Sequence, residues 1–257
     1  MVNKFLWIAA FFAMAASLCA SQRNEIVLLT SADNPPYEFV RSGEIVGFDV
    51  DLAKLIAEKL GKKLVVKDVP FASIVPSLMA KHGDLAISAL TPTDARRENV
   101  DFSINYQENI SAIVLAKMDE LAFADGKNAV FPTALLEGKA IGVQLGTHHE
   151  TDVAKANIPN ATVKRYDNIG TMVAEISNSA NGVGTLYALV IGESEARAIV
   201  RKNPKLRCFR LQFADSFAVA LPKNSPLRTE INRIIELLRE TGKLSDLETK
   251  WDINSEN

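Results

Sequence analysis

Cysteine is nearly missing from this chain: two residues in 257, Cys19 and Cys208, so no disulfide framework supports the fold. Histidine is almost as scarce, with three residues. His148, His149 and Glu150 are adjacent, but successive helical positions point in different directions and cannot converge on one ion, so no metal site is expected. Neither charge is in excess, with 29 Lys and Arg against 31 Asp and Glu. That balance gives no basic footprint, and nucleic acid is not an expected partner. Beyond the N-terminus no apolar run is long enough to cross a membrane.

The apolar run that does occur sits first. Lys4 precedes apolar residues 5–16, and small or polar residues follow from Ser17 to Ser21, the order of a secretory signal. Residues 1–21 therefore read as a signal peptide cleaved between Cys19 and Gln22, leaving a soluble periplasmic chain of about 235 residues. Lipid anchoring at Cys19 is not expected, because Leu18 before it is not small. Cys208, in the alternating stretch KLRCFRLQF, then has no cysteine to pair with and reads as a buried strand residue.

Short β-type runs alternate with helical periodicity, the pattern of parallel sheets covered by helices, so the fold class is α/β. Residues 26–30, 64–67 and 85–88 read as strands. Between the first two, Leu52, Leu55, Ile56 and Leu60 form one helical face, with Asp49 and Asp51 in the first turn and Gly61 as the stop. Ile74, Leu78 and Met79 mark a second helix that holds Pro76 near its start. The pattern then restarts, with strands at 110–116, 140–143, 162–166 and 183–186 and helices at 148–156 and 169–176. A strand at 216–221, a helix at 227–239 and a last helix ending at Trp251 follow. Two βα sets of similar size imply two lobes.

Six motifs stand out: NPPYEF (34–39), VGFDVDLA (46–53), PFASIVPSL (70–78), SALTPTDAR (88–96) with VDFS after it, IGVQLGT (141–147) and LRETGKLSDLETKW (238–251). Together they resemble the polar amino-acid branch of periplasmic solute-binding proteins, similar to glutamine-, histidine- and arginine-binding proteins. The resemblance implies a two-lobed periplasmic-binding-protein fold of type II, with two hinge strands and closure on ligand. It implies residues 24–108 plus 214–257 as lobe one and 109–213 as lobe two. It also implies a small amino acid or related carboxylate as ligand, an inner-membrane ABC permease as partner, a monomer, no cofactor and no catalytic residue. Two other readings use the same scaffold: an enzyme similar to cyclohexadienyl dehydratases, for which no catalytic carboxylate stands out, and a sensor or surface interaction protein.

The site implied by the resemblance makes chemical sense, because an engulfed zwitterion loses hydration and its carboxylate needs a fixed cation with several donors. Arg96 sits where relatives hold that carboxylate, beside the hydroxyl of Thr91 and the backbone of Ser88 and Ala89; the alternative is a surface ion pair with Asp94 or Glu98. Arg97 is expected to face solvent. On the second lobe LGTHHE opens a helix, so N–H groups of Thr147 and His148 could receive a carboxylate, while Thr147 also fits a plain N-cap. Phe71 matches an aromatic that stacks on the ligand in relatives, or is a core residue; Tyr37 and Phe39 read as packing, and GFDVDL as the start and capping of a helix.

The chain also departs from the pattern. A position that often carries an acid reads Ser31, and a common aromatic position reads Asn34, with Asp33 expected to point elsewhere. Relatives place an acid against the ligand ammonium at the end of the strand read at 183–186. Here Leu186, Tyr187 and Ala188 stand there, so Tyr187 is expected to replace the acid through its hydroxyl or ring, or the ligand lacks an α-amino group.

Overall fold

The computed structural model describes residues 24–116 and 131–253; the expected signal at 1–21 lies outside them. Lobe one begins with β1 (Glu25–Thr30), the meander β2 (Asp33–Asn34), β3 (Glu38–Arg41) and β4 (Glu44–Val46), and helix α1 (Phe48–Lys59). It continues through β5 (Lys63–Asp68), a 3₁₀ turn at Phe71–Ser73, α2 (Ile74–Met79), β6 (Leu85–Ala86) and α3 (Asp94–Arg97). Strands β5 and β6 flank β1 in parallel. Helix α1 forms where the apolar spacing required it, and Gly61, at φ 64°, follows its C-cap.

Strand β7 (Val100–Leu115) then carries the chain into lobe two, and β11 (Arg207–Pro222) brings it back antiparallel to β7. Each has 16 residues, about 50 Å when extended, enough to run through both lobes. Between them lie β8 (Ala140–Gln144), α4 (His148–Lys155), β9 (Thr162–Tyr166), α5 (Ile169–Ala180), β10 (Ala188–Gly192) and α6 (Glu193–Lys202). Helices α7 (Arg228–Glu240) and α8 (Lys243–Trp251) pack back on lobe one. The result is one eight-stranded sheet in the order β5-β1-β6-β11-β7-β10-β8-β9, with the two long strands at its centre.

Each half of the sheet is covered on both faces, as expected of parallel strands flanked by helices. In lobe one α1, α7 and α8 bury Leu52, Ile56, Ile231, Ile234 and Trp251 against one face, and α2 places Ile74 and Leu78 on the other. In lobe two α5 and α6 cover one face with Met172, Ile176 and Ile199, while Val153 of α4 packs on the other. Tyr37 and Phe39 are packing residues: Tyr37 is buried with its ring 5.2 Å from that of Phe217, and Phe39 lies 5.9 Å from Trp251.

Two sequence expectations need correction. Residues 183–186 are not a strand: Val183 is 83% exposed, and a Cβ on Gly184 would meet Ser179 Oγ at 2.2 Å, so this stretch is a close turn off the end of α5. The strand there is β10, starting at Ala188, and α6 follows it directly. Nor is Cys208 deep in the core; it is free and half-buried on β11, although burial still pushes its thiol upward.

Candidate functional site

Parallel α/β sheets bind ligands beyond the carboxyl ends of their strands, and here those ends from the two lobes face each other. The cleft between them is lined from lobe one by Asn34, Phe71, Ser88 and Ala89, and from lobe two by Gln144, Thr147, His149, Gly192 and Glu195. It encloses about 30 Å³, room for a water or two and not for an amino acid.

The lobes touch directly across this cleft. Arg96 is positioned by α3, whose N-cap Thr93 accepts the Arg96 N–H. Its guanidinium donates to Thr91 O at 2.7 Å within lobe one and to Gly146 O at 2.9 Å in lobe two, with Cζ 5.4 Å from the Phe71 ring centroid. Thr91 Oγ1 lies 3.2 Å from His148 Nδ1. Asp33 Oδ2 accepts the Ile169 N–H at 2.8 Å, at the start of α5, and the Gln144 amide at 3.4 Å. A carboxylate at a helix N-terminus is a favourable charge-to-dipole contact. Burial nevertheless pushes Asp33 above the usual carboxylate range.

Behind the lobe-one wall lies a buried acidic pair. Glu38 Oε1 accepts from Ser88 Oγ at 2.9 Å and from the Asn34 amide at 3.3 Å. Asp49 accepts the Ala89 N–H at 2.6 Å and the Tyr106 hydroxyl at 2.9 Å. Both carboxyls are fully buried. Burial and the neighbouring Asp49 charge push Glu38 well above the usual range, and burial pushes Asp49 up to about 6. Ala89 holds a φ of 43°, a conformation that costs a non-glycine residue about 1 kcal/mol, and the short bond to Asp49 holds it there.

Comparison with known proteins follows the same direction. The sequence model for bacterial extracellular solute-binding proteins, family 3, matches residues 26–254. The chain belongs to that family. Among relatives of this solute-binding protein, the arginine-binding extracellular protein ArtP of Bacillus subtilis is 30% identical over 96% of this chain and 96% of its own. A probable arginine-binding protein, ArtJ of Chlamydia trachomatis, is 27% identical over 98% of each. Among solved structures, an ancestral arginine-binding protein bound to arginine superposes with a TM-score of 0.78 at 33% identity, covering 89% of this chain and 98% of that one. The substrate-binding protein AbpA of Streptococcus pneumoniae, bound to L-arginine, gives 0.77 at 30% identity, covering 90% and 97%.

Most of the residues singled out in this solute-binding protein meet at the cleft, though several make other bonds than expected. The Arg96 guanidinium reaches across to Gly146 of lobe two, while Arg97 is exposed. The Ala89 N–H is committed to Asp49, and Ser88 Oγ is held between the Ser31 N–H and Glu38, so this backbone shapes the wall. Asp49 of GFDVDL thus holds this wall; the N-cap position of α1 is Gly47, with no side-chain cap. Thr147 is the N-cap position of α4, yet its hydroxyl donates to Gln144 O at 2.7 Å and its N–H reaches the same oxygen. Ser31 is buried one step behind the cavity, and Asp33 does not point elsewhere: it crosses the cleft. Glu150 turns to Arg165 and the Gly146 N–H, away from the two histidines.

Tyr187 is not brought to the site. It precedes β10, at the opposite end of that strand from the cleft, with Lys139 Nζ 4.9 Å from its ring centroid. Its assignment followed from reading the strand at 183–186, several residues early. Several cleft residues were missed, among them Gln144, His149, Gly192 and Glu195. Burial and the neighbouring His148 and Arg96 hold the His149 ring well below the usual imidazole value, so it is neutral. The signal that could have found Glu195 was positional, because the first turn after a strand's carboxyl end is where an acid reaches a cleft of this kind.

Proposed function

We propose that this solute-binding protein captures an amino acid between its lobes, with arginine the first candidate, and hands it to an ABC permease from the periplasmic side of the inner membrane. The observation that carries this is Arg96. Its guanidinium sits at the mouth between the lobes, donating to two neutral carbonyl oxygens and resting on Phe71. A ligand carboxylate is the stronger acceptor and exchanges readily for them. Charge balance supports a basic ligand: Asp33 and Glu195 stand at the cleft against Arg96, and His149 is neutral. A zwitterion leaves that balance unchanged, whereas an arginine adds one positive charge. Entry needs the lobes to part about the two long strands, since about 30 Å³ is enclosed between them, and closure then completes the contacts.

The test is thermal unfolding of the secreted chain against amino acids and their deamino analogues. A ligand at one hundred times its dissociation constant adds about 2.7 kcal/mol of stability. No shift with any amino acid at millimolar concentration would sink the reading.

A further inference from the structure

An amino acid brings an ammonium as well as a carboxylate, and a cation enclosed without a counter-charge is strongly disfavoured. Arg96 answers the carboxylate, while Leu186 and Tyr187 lie off the cleft. The strand that does reach it, β10, ends in Gly192, and the first turn of α6 directs Glu195 back toward that glycine. Glu195 is 4% exposed, lines the cavity, and accepts from the Asn34 amide at 3.4 Å. A Cβ on Gly192 would stand 2.2 Å from Glu195 Oε2 and 2.6 Å from Asn109 Nδ2. The carboxylate therefore occupies space that any other residue at 192 would claim. Gly192 has φ −69° and ψ 156°, an ordinary extended backbone, so room and not backbone freedom is what glycine provides here. Asn109, buried at 7% exposure, has an Nδ2 without a hydrogen-bond partner, a donor beside the same carboxylate.

We infer that Glu195 is the counter-charge for the ligand's α-ammonium, reaching the cleft from helix α6 because residue 192 has no side chain, and so selects amino acids over carboxylates that lack the amine. This rests on the amino-acid reading above. The ammonium replaces the long contact from Asn34 with a charge-assisted bond, and the Asn34 amide keeps Glu38 as its acceptor.

The test is calorimetry with two probe pairs, L-arginine beside deamino-arginine and L-histidine beside deamino-histidine, on wild type, Glu195→Gln, Gly192→Ala and the double variant Gly192→Asp with Glu195→Ala. Wild type should prefer the amino form of the bound pair, and Glu195→Gln should reduce its affinity roughly 30-fold or more while changing the deamino form less than about threefold. Gly192→Ala, which displaces the carboxylate without removing it, should show the same selective loss, and it guards against a Gln variant that merely folds poorly. The double variant returns a carboxylate from the strand end and should recover at least about tenfold of the amino preference. An unchanged amino-to-deamino ratio in both Glu195→Gln and Gly192→Ala would overturn the assignment even if L-arginine binds tightly. Wild type that binds neither of these nor any other amino acid would overturn the functional reading, and the assignment with it.

Discussion

The two walls of the cleft are built on different principles. On the lobe-one side, polar groups are tied inward to buried partners: Ser88 to Glu38, Ala89 to Asp49, and Asp49 in turn to Tyr106. On the lobe-two side, Gln144, His148 and the Ile169 N–H find partners across the cleft, in Asp33 and Thr91. The first wall keeps its shape whatever the second does, because interior bonds set it. The second is completed by closure. Opening therefore breaks lobe-two contacts while leaving the lobe-one surface formed, a rigid half-template against a half that docks.

Arg96 is where the contrast is sharpest, since it belongs to lobe one yet reaches Gly146 of lobe two. Arg96→Ala should weaken amino-acid binding more than about 100-fold, by removing a charge-assisted contact in a closed site. Unfolding in urea should move little, as the side chain is not a core group. Calorimetry beside denaturation separates the two, and a loss under threefold would contradict the role given to this residue.

A scaffold wall should fail as scaffold. Asp49→Ala leaves the buried Tyr106 hydroxyl and the Ala89 N–H without an acceptor and should cost about 3 kcal/mol in urea unfolding. The acidic pair also sets a pH dependence. Asp49 is raised from 3.8 to about 6 and Glu38 is also raised well above the usual carboxylate range, so the folded protein holds protons that the unfolded chain has released. This contribution is full below pH 4 and is lost as the pH climbs through about 6, on the order of 2 kcal/mol for Asp49. Glu38→Gln, with no proton to lose, should narrow that decline when unfolding is compared at pH 4 and 7. An equal decline in both proteins would place its origin elsewhere.

Smaller effects test the docking half. Asp33→Ala removes the carboxylate from the start of α5, worth about 1 kcal/mol, and should shift the closed-to-open ratio about fivefold, read as a larger radius of gyration in small-angle scattering. Tyr187→Phe, away from the cleft, should change affinity less than twofold; a larger change would return that residue to the site.

The legible parts of the sequence were those where one residue's local pattern decides the outcome. The apolar spacing of Leu52, Leu55, Ile56 and Leu60 gave α1, and SALTPTDAR gave Arg96 its place. What could not be read depended on partners far along the chain. Strand β7 was taken only from residue 110 onward, because Ser103, Asn105, Gln107 and Glu108 break its apolar pattern; Ser103, for one, is accommodated inside lobe one by accepting the Val219 N–H. The strand at 183–186 was misplaced because GVGTLYALV holds two apolar stretches and only packing chooses between them. Asp49 reads as a helix-start acid and Glu38 as one residue of NPPYEF, and nothing local reveals that both are buried.

The pairing of β7 with β11 also sets a schedule for folding. Val100 lies opposite Pro222, so the strand between β6 and β7 in the first lobe comes from the far end of the chain, as do the helices α7 and α8 that cover it. Such distant contacts close late. A polypeptide that stops before Arg207 has the first four-fifths of its residues and lacks the middle of that sheet, so it should remain open to protease until the last segment emerges. For a protein that functions outside the cytoplasm, this delay keeps the chain threadable for as long as it is being made.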